Sequence, residues 1–95
     1  MDTETTPKIA IEDLLSSRGR VKILKELAAS NELLISQLCR NVNLNHSSTA
    51  SHLKVLVKSG LIEEKKLGRI KIYRFMEEDI RARALRSFFN IWESK

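Results

Sequence analysis

Apolar residues recur along most of the chain at the three- and four-residue spacing that places them on one face of a helix. This spacing predicts helices over 9–15, 18–29, 37–42, 46–59 and 78–93. Ser17, Ser36 and Asn45 directly precede three of these segments and are favourable N-caps. Gly60 supplies a C-terminal stop, and the carboxylates of 77–79 complement the dipole of the last helix.

Two parts of the chain have patterns typical of strands. Residues 33–35 form a very short apolar run, and 70–75 alternates apolar with basic residues. Gly68 can adopt the positive φ of a tight turn, so 61–67 and 70–75 are predicted to pair as a hairpin. Two helices joined by a tight turn at Asn43-Leu44 and followed by a hairpin predict an α+β, mostly α fold. This fold is a winged helix-turn-helix with a two-stranded β-hairpin as its wing and a C-terminal helix.

The length of the chain sets its domain organisation. Ninety-five residues allow one domain of 10.9 kDa. Residues 1–8 are polar and predict a flexible N-terminus, 9–76 the winged helix-turn-helix, and 77–95 the C-terminal helix.

Composition excludes several classes of protein. The longest apolar run has three residues and the N-terminus lacks the pattern of a signal peptide, so we expect no membrane partner. One cysteine cannot form an internal disulfide, which favours a reducing, cytoplasmic location and excludes a secreted disulfide scaffold. One cysteine and two histidines do not make a metal cluster, so neither a metal nor another cofactor is expected.

Positive charge is concentrated in the middle of the chain. Residues 17–75 contain twelve Lys or Arg against four Glu, a net charge of +8 within a total of +5. Such a block favours a polyanionic partner, although a basic face kept only for solubility is the alternative. All five aromatic residues lie in the last quarter of the chain, outside the basic block up to Lys71. Single-strand and RNA binders need aromatics among their basic residues, so the pattern favours double-stranded DNA.

The segment 46–59 has one apolar and one polar side. Thr49, Leu53 and Leu56 belong to the predicted core side. The opposite side is small and polar at its N-terminal end, which suits a helix lying in a major groove. The candidate DNA-contacting residues here are His46, Ser47, Ser48, Ser51, His52, Lys54 and Lys58. The serines could instead act as helix caps or as a solvated face, and His52 could equally pack at the flank of the helix.

The predicted hairpin is basic along both strands. Its candidate contacts to the DNA backbone and minor groove are Lys65, Lys66, Arg69 and Lys71. The alternative is a charged hairpin edge that prevents aggregation.

The last helix has more apolar surface than one subunit needs. Apolar side chains spread over about half of its circumference, whereas docking on a core requires a stripe of about 100°. Part of this surface is expected to pack on Ile23, Leu27 and the hairpin, and the rest on a partner helix, so we predict a homodimer. The candidate interface residues are Ile80, Ala84, Leu85, Phe88, Phe89, Ile91 and Trp92. The alternative is that the whole face closes on one subunit's core.

Three segments resemble the ArsR-type winged-helix repressors, especially the short single-domain members common in archaea. They are Arg20-Val21-Lys22-Ile23-Leu24 with Leu27, Ile35-Ser36-Gln37-Leu38-Cys39, and 44–56 followed by Ser59-Gly60-Leu61-Ile62. The most specific of them contains His52-Leu53-Lys54 and Leu56, and Gly68–Arg74 resembles the wing of the archaeal members. The resemblance implies a DNA-binding transcription regulator.

The chain departs from the metal-sensing members of that family. Their Cys-x-Cys pair would fall at Cys39 and Asn41, so one thiolate is missing, and the last helix contains no histidine. We therefore expect Cys39 to be a half-buried core residue, and no metal or small-molecule effector is evident.

The leading hypothesis is a sequence-specific transcription regulator, more specifically a repressor, that binds double-stranded DNA as a homodimer. The alternative is a winged-helix protein-interaction module of a transcription or chromosome assembly. An enzyme is not expected, because no carboxylate pair, catalytic triad or phosphate-binding glycine loop occurs at usable spacing.

Overall fold

The computed structural model describes residues 9–94, so the predicted flexible segment 1–8 lies outside the described residues. The elements in chain order are α1 (Ile11–Leu15), α2 (Arg18–Ser30), β1 (Glu32–Leu34), α3 (Ile35–Val42), α4 (His46–Lys58), β2 (Ile62–Leu67), β3 (Ile70–Phe75) and α5 (Ile80–Glu93). Helices α3 and α4 are joined by a tight turn and followed by the β2–β3 hairpin, so the predicted winged helix-turn-helix is confirmed. None of the described helices is long and apolar enough to cross a membrane.

The three strands form one antiparallel sheet in the order β1-β3-β2. Gly68 closes the hairpin with a φ of 65°, as its sequence position predicts. This turn fixes the register, in which Leu67 lies opposite Ile70 and Glu64 lies opposite Tyr73. The strand β1 adds to the free side of β3 through Leu33 and Tyr73. The sequence predicted β1 as a separate short strand, and its pairing partner lies some 40 residues away, beyond any local pattern.

Two of the three N-caps predicted from the sequence are observed in the structure, and one is not. Ser17 accepts a hydrogen bond from the Arg20 amide at 3.2 Å, and Asn45 accepts one from the Ser48 amide at 2.8 Å. The prediction of Ser36 as an N-cap was wrong, because β1 leads directly into α3 and Leu34 occupies the cap position. The Leu34 amide donates instead to Gln37 Oε1 at 2.9 Å.

The predicted start of the last helix was two residues early. Asp79 is its N-cap and accepts a hydrogen bond from the Arg81 amide at 2.8 Å, so α5 begins at Ile80. Hydrogen bonds from the Arg81 guanidinium, and secondarily from the Arg81 amide, lower the pKa of the Asp79 carboxyl. Glu77 and Glu78 therefore lie before the helix and not in its first turn.

The core forms around α2. Its Ile23, Leu24 and Leu27 have no exposed surface. Side chains from every other long element surround them, namely Leu38, Leu53, Leu56, Ile62, Phe75, Ala82 and Phe89. The helices and the sheet thus share one apolar core, to which α5 contributes through Ala82 and Phe89. The division between 9–76 and 77–95 stays a prediction.

Two arginines of α5 join this helix to the ends of other elements. Arg86 Nε donates to the Ala28 carbonyl at 3.1 Å, and Arg86 Nη2 donates to Asn31 Oδ1 at 2.8 Å, both near the end of α2. Arg81 Nη2 donates to the Ser59 carbonyl at 2.9 Å, directly after α4. The bonds to Ala28 and Ser59 satisfy backbone carbonyls that a helix end leaves without an intrahelical donor.

The first turn of α2 approaches α4 so closely that a side chain at Gly19 would collide. A Cβ there would lie 2.8 Å from His52 Nε2 and 3.2 Å from Leu44 Cδ1. Alanine normally favours a helix over glycine by about 1 kcal/mol. We nevertheless expect Gly19→Ala to lower the free energy of unfolding by about 1–2 kcal/mol, because the imidazole must move. Urea unfolding followed by circular dichroism measures this.

The control for this prediction is the same change in a His52→Ala background. There the collision with the imidazole is absent, so Gly19→Ala should cost much less than in the wild type. Equal losses in both backgrounds would show that the contact with His52 is not the cause.

Candidate nucleic-acid interface

The orientation of α4 follows from its two ends and its buried side. Asn45 caps the helix, and the Thr49 hydroxyl donates to the Asn45 carbonyl at 2.9 Å. Thr49, Leu53 and Leu56 are at most 1% exposed, which confirms the predicted core side of this helix. The polar side of α4 therefore points outward along its whole length.

Most of the residues predicted to contact DNA from α4 lie on this outer side. His46, Ser47, Ser51, Lys54 and Lys58 are exposed, and Ser48 is half-buried. The residues that follow His46 in the helix are small, so its N-terminal end presents little bulk to an approaching partner. This is the shape that a major groove accommodates.

His52 has a different environment from its predicted neighbours. Its ring lies against Gly19 of α2, and its Nδ1 is buried without a hydrogen-bond partner among residues 9–94. Burial, and secondarily the charge of Arg20, lowers the pKa of His52 from the ordinary 6.5. The structure thus places His52 in the packing position that the sequence left as an alternative.

Of the four predicted cations of the hairpin, two lie close to a carboxylate of the described residues and two do not. Lys65 Nζ lies 3.6 Å from Glu32 Oε2, and Lys71 Nζ lies 3.8 Å from Glu64 Oε2. Lys66 and Arg69 are exposed, and no carboxylate of the described residues lies within ion-pair distance of either. The free positive charge of the hairpin is therefore concentrated at its tip.

A cleft of about 440 Å³ separates α4 from the hairpin. Lys54 and Lys58 line it on the helix side, and Lys71 lines it on the strand side. Its floor contains Tyr73, whose hydroxyl donates to Glu64 Oε2 at 2.6 Å. Burial and this carboxylate raise the pKa of Tyr73. The cleft thus combines three lysines with one carboxylate that already has a donor.

Sequence reasoning missed the pairing of Glu64 with Tyr73. The signal was available, because a hairpin turning at Gly68 and Arg69 places these two residues opposite each other. Glu64 is the one carboxylate of the described residues in this cleft, and its bond to Tyr73 reduces its repulsion toward an approaching anion.

The seven predicted interface residues of α5 have three different environments. Phe89 is 8% exposed and belongs to the core of its own chain, and Leu85 is half-buried against that core. The other five residues are exposed, namely Ile80, Ala84, Phe88, Ile91 and Trp92. Ile80, Ile91 and Trp92 are each more than 70% exposed, far more than a large apolar side chain in a core.

The exposed apolar surface extends from α5 onto α1. Ile11 is 57% exposed, and together with Ile9 and Leu14 it lines an apolar groove of about 440 Å³ against Ala84 and Phe88. The sequence predicted α1 as a short apolar helix but did not include it in an interface. Five helical residues are too few for a pattern to show which side faces outward.

Cys39 is half-buried, as expected of a small core residue. Within residues 9–94, no three His, Cys, Asp or Glu side chains come together in a way that could hold a metal ion.

Comparison with known proteins gives a family match and similar structures. The model of the arsR family of bacterial regulatory proteins matches residues 17–64. Reduced HlyU from Vibrio cholerae is similar, with a TM-score of 0.76 and 21% identity over 90% of this chain and 86% of that chain. The transcriptional repressor BigR from Xylella fastidiosa gives a TM-score of 0.74 and 19% identity over 87% of this chain and 82% of that chain. At this identity, HlyU and BigR show the fold alone.

A third similar structure is a domain from Mycobacterium bovis. It gives a TM-score of 0.70 and 26% identity over 85% of this chain and 72% of that chain. It is described as a homodimeric winged helix-turn-helix DNA-binding domain of a possible ArsR-family transcriptional regulator.

The environment of His52 predicts a pH dependence of stability. Because its pKa is lower in the folded than in the unfolded chain, the unfolded chain binds the proton first as the pH falls through 6.5. The free energy of unfolding should therefore decrease as the pH is lowered from about 7.5 to about 5.5. Urea titrations across this range measure the effect, and His52→Gln should reduce the slope.

His46→Gln is the matched control, because His46 is exposed at the start of the same helix. It should leave the slope as in the wild type. If His52→Gln shows the wild-type slope instead, the half-buried ring of His52 is not its source.

Proposed function

The chain belongs to the ArsR family of bacterial regulatory proteins and is a DNA-binding regulator of transcription, and we propose that it acts as a homodimeric repressor at specific sites in double-stranded DNA. The family and the fold are those of DNA-binding regulators. The observation that most supports the proposal is the outward polar side of α4, which lies beside the hairpin. The cations at the hairpin tip have no carboxylate of residues 9–94 within ion-pair distance.

The recognition helix in this proposal is α4. The small, exposed residues near its N-terminus allow close approach to base edges in a major groove. Its lysines line the cleft beside the hairpin, where they can contact DNA phosphates. The proposed contacts are His46, Ser47, Ser48, Ser51, Lys54 and Lys58. We omit His52, because its ring is packed against α2.

The wing, which is the β2–β3 hairpin, contacts the DNA backbone and the minor groove in this proposal. Lys66 and Arg69 are available directly. Lys65 and Lys71 are engaged with Glu32 and Glu64, and these exposed pairs are weak enough for a phosphate to replace them. The net charge of +5 would also accelerate encounter with DNA.

The exposed apolar surface of α5 supports the proposed homodimer. Ile80, Ala84, Phe88, Ile91 and Trp92 form its α5 part, and Ile11 extends it onto α1. A two-fold partner would cover this surface with its own copy of the same residues. The Mycobacterium bovis domain, similar over 85% of this chain, is homodimeric. We omit Phe89 from the interface, because it is buried in its own subunit.

The dimer sets the form of the target site. A two-fold axis places two recognition helices in successive major grooves, about 34–36 Å apart, so the target should be an inverted repeat. A dimer bound there would act by occupying the promoter, which requires no catalysis. In this proposal the protein acts in the cytoplasm, where it has access to the chromosome.

The contacts of the wing and the helix can be separated by their dependence on salt. Lys66→Ala and Arg69→Ala should weaken binding to specific and random duplexes alike and lower the salt slope, because each removes a phosphate contact. Ser51→Ala and Ser48→Ala should change preference among sequences by about 1–3 kcal/mol and leave the slope unchanged. Fluorescence anisotropy on both kinds of duplex at several salt concentrations measures these effects.

Wing variants that lose only specific binding would show that the two roles are reversed. Wild-type protein that binds no duplex in a salt-dependent manner would contradict the DNA-binding proposal and favour the protein-interaction module.

The proposed dimer can be tested by light scattering. The wild type should have twice the chain mass of 10.9 kDa at micromolar concentration, and Phe88→Glu with Trp92→Glu should have the mass of one chain. The reason is that two carboxylates would be buried in the apolar interface without partners. Asn90→Glu, exposed elsewhere on α5, is the control and should stay dimeric. A wild-type mass of 10.9 kDa would contradict the dimer.

A further inference from the structure

The tip of the wing exposes two large apolar side chains. Leu67 is 63% and Ile70 is 52% exposed, and they lie directly opposite each other in the ladder, next to the turn at Gly68. Directly paired residues of an antiparallel ladder point to the same face of the sheet. The two side chains therefore form one exposed surface, which we name the apolar tip.

The apolar tip occupies the outer face of the hairpin. Residues two positions apart share a face, so Leu67 and Ile70 lie on the side of Ile72, whereas Lys66 and Lys71 lie on the side of the buried Tyr73. Lys71 thus lines the cleft beside α4, whereas Leu67 and Ile70 face away from it on the same face as Lys65. Arg69 lies within the turn between the two faces.

Charge restricts the partner that this surface can accept. Residues 65–71 contain four cations and no carboxylate. A partner that covers the apolar tip must therefore combine an apolar surface with negative charge beside it. A DNA minor groove has this combination, with phosphates along both rims and the carbon atoms of the deoxyriboses as its walls.

We propose that Leu67 and Ile70 enter the minor groove together with Arg69 and make DNA affinity depend on the sequence that flanks the recognition-helix site. This inference rests on the proposed function and specifies how the wing contributes to it. Minor grooves of A·T-rich DNA are narrow and attract arginine. A narrow groove also brings both walls against the apolar tip, whereas the amino group of guanine obstructs the floor.

This contact adds to the limited selectivity that α4 can supply. Its exposed residues near the N-terminus are mainly serines, which donate or accept and so discriminate weakly among bases. No arginine, asparagine or glutamine occurs between His46 and Lys58 to make a bidentate base contact. Dependence on flanking sequence would increase the discrimination of the whole complex.

The pair could alternatively serve only the stability of the hairpin, since cross-strand apolar pairs stabilise sheets. Threonine substitutions separate these roles, because threonine keeps a high strand propensity while it removes most of the apolar surface. The test variant is Leu67→Thr with Ile70→Thr. The matched control is Ile72→Thr, which removes an apolar side chain from the same face of the same hairpin, farther from the tip.

The experiment uses the full chain and an inverted-repeat duplex selected by the wild type from a random library. Its flanks are then made of A·T, G·C or inosine·C pairs. Inosine keeps the major-groove pattern of guanine but lacks the minor-groove amino group. Wild type and Ile72→Thr should bind the A·T and inosine·C flanks equally well and the G·C flank more weakly.

The double variant should lose about tenfold in affinity on the A·T flank, through lost apolar contact. It should also distinguish the three flanks less than the wild type does, because only the attraction of Arg69 to a narrow groove remains. Its salt slope should equal that of the wild type, because no charge is removed. Wing amide resonances and melting temperature measured alongside report whether the hairpin remains folded.

Several results would overturn the inference. One is a double variant that binds all flanks as the wild type does, and another is an inosine·C flank that behaves like G·C. Equal losses in the double variant and in Ile72→Thr would assign the effect to hairpin stability. If the wild type binds phosphatidylserine vesicles, and the double variant does not bind them but binds DNA as the wild type does, the tip would be assigned to a lipid surface. If the wild type binds no duplex at all, the proposed function itself fails, which is distinct from each of these.

Discussion

The burial of one side of α4 is the constraint on which the rest of the structure depends. Thr49, Leu53 and Leu56 are almost completely buried, and α2 packs against this helix with its own buried Ile23 and Leu27. A rotation of α4 about its axis would expose these side chains, at about 1.5–3 kcal/mol for each large apolar one. The core therefore fixes which residues of α4 face outward, and the polar surface beside the wing is a consequence of packing.

The position of α5 relative to α4 is set by polar contacts at helix ends in addition to the core. Arg81 donates to the carbonyl of Ser59 after α4, and Arg86 donates to Ala28 and Asn31 at the end of α2. The Arg86 guanidinium also lies 4.8 Å from the centre of the Phe75 ring. Because α5 has the exposed apolar surface of the proposed dimer, these bonds determine where a partner subunit would place its own α4.

Sequence patterns predicted the local structure better than the contacts between distant segments. Asn45 as a cap, the buried side of α4 and the turn at Gly68 were all correct, because each depends on a few neighbouring residues. The Ser36 cap was wrong because β1 leads directly into α3, and this follows from the pairing of β1 with β3. The environments of His52 and Phe89 depend on where α2 lies. A helical wheel shows that a residue lies at the edge of a face but does not show which element approaches that edge.

The structure also changes the meaning of the charge pattern. The sequence places four cations between 65 and 71, yet Lys65 and Lys71 have carboxylates within 4 Å in the protein alone, whereas Lys66 and Arg69 have none among the described residues. Exposed pairs such as these are worth at most about 1 kcal/mol, so a phosphate can displace either carboxylate. Each displacement leaves Glu32 or Glu64 near the DNA, and Glu64 keeps a donor in Tyr73. Hence the charge available for binding is smaller than the composition suggests, and it is concentrated at the tip of the wing, beside Leu67 and Ile70.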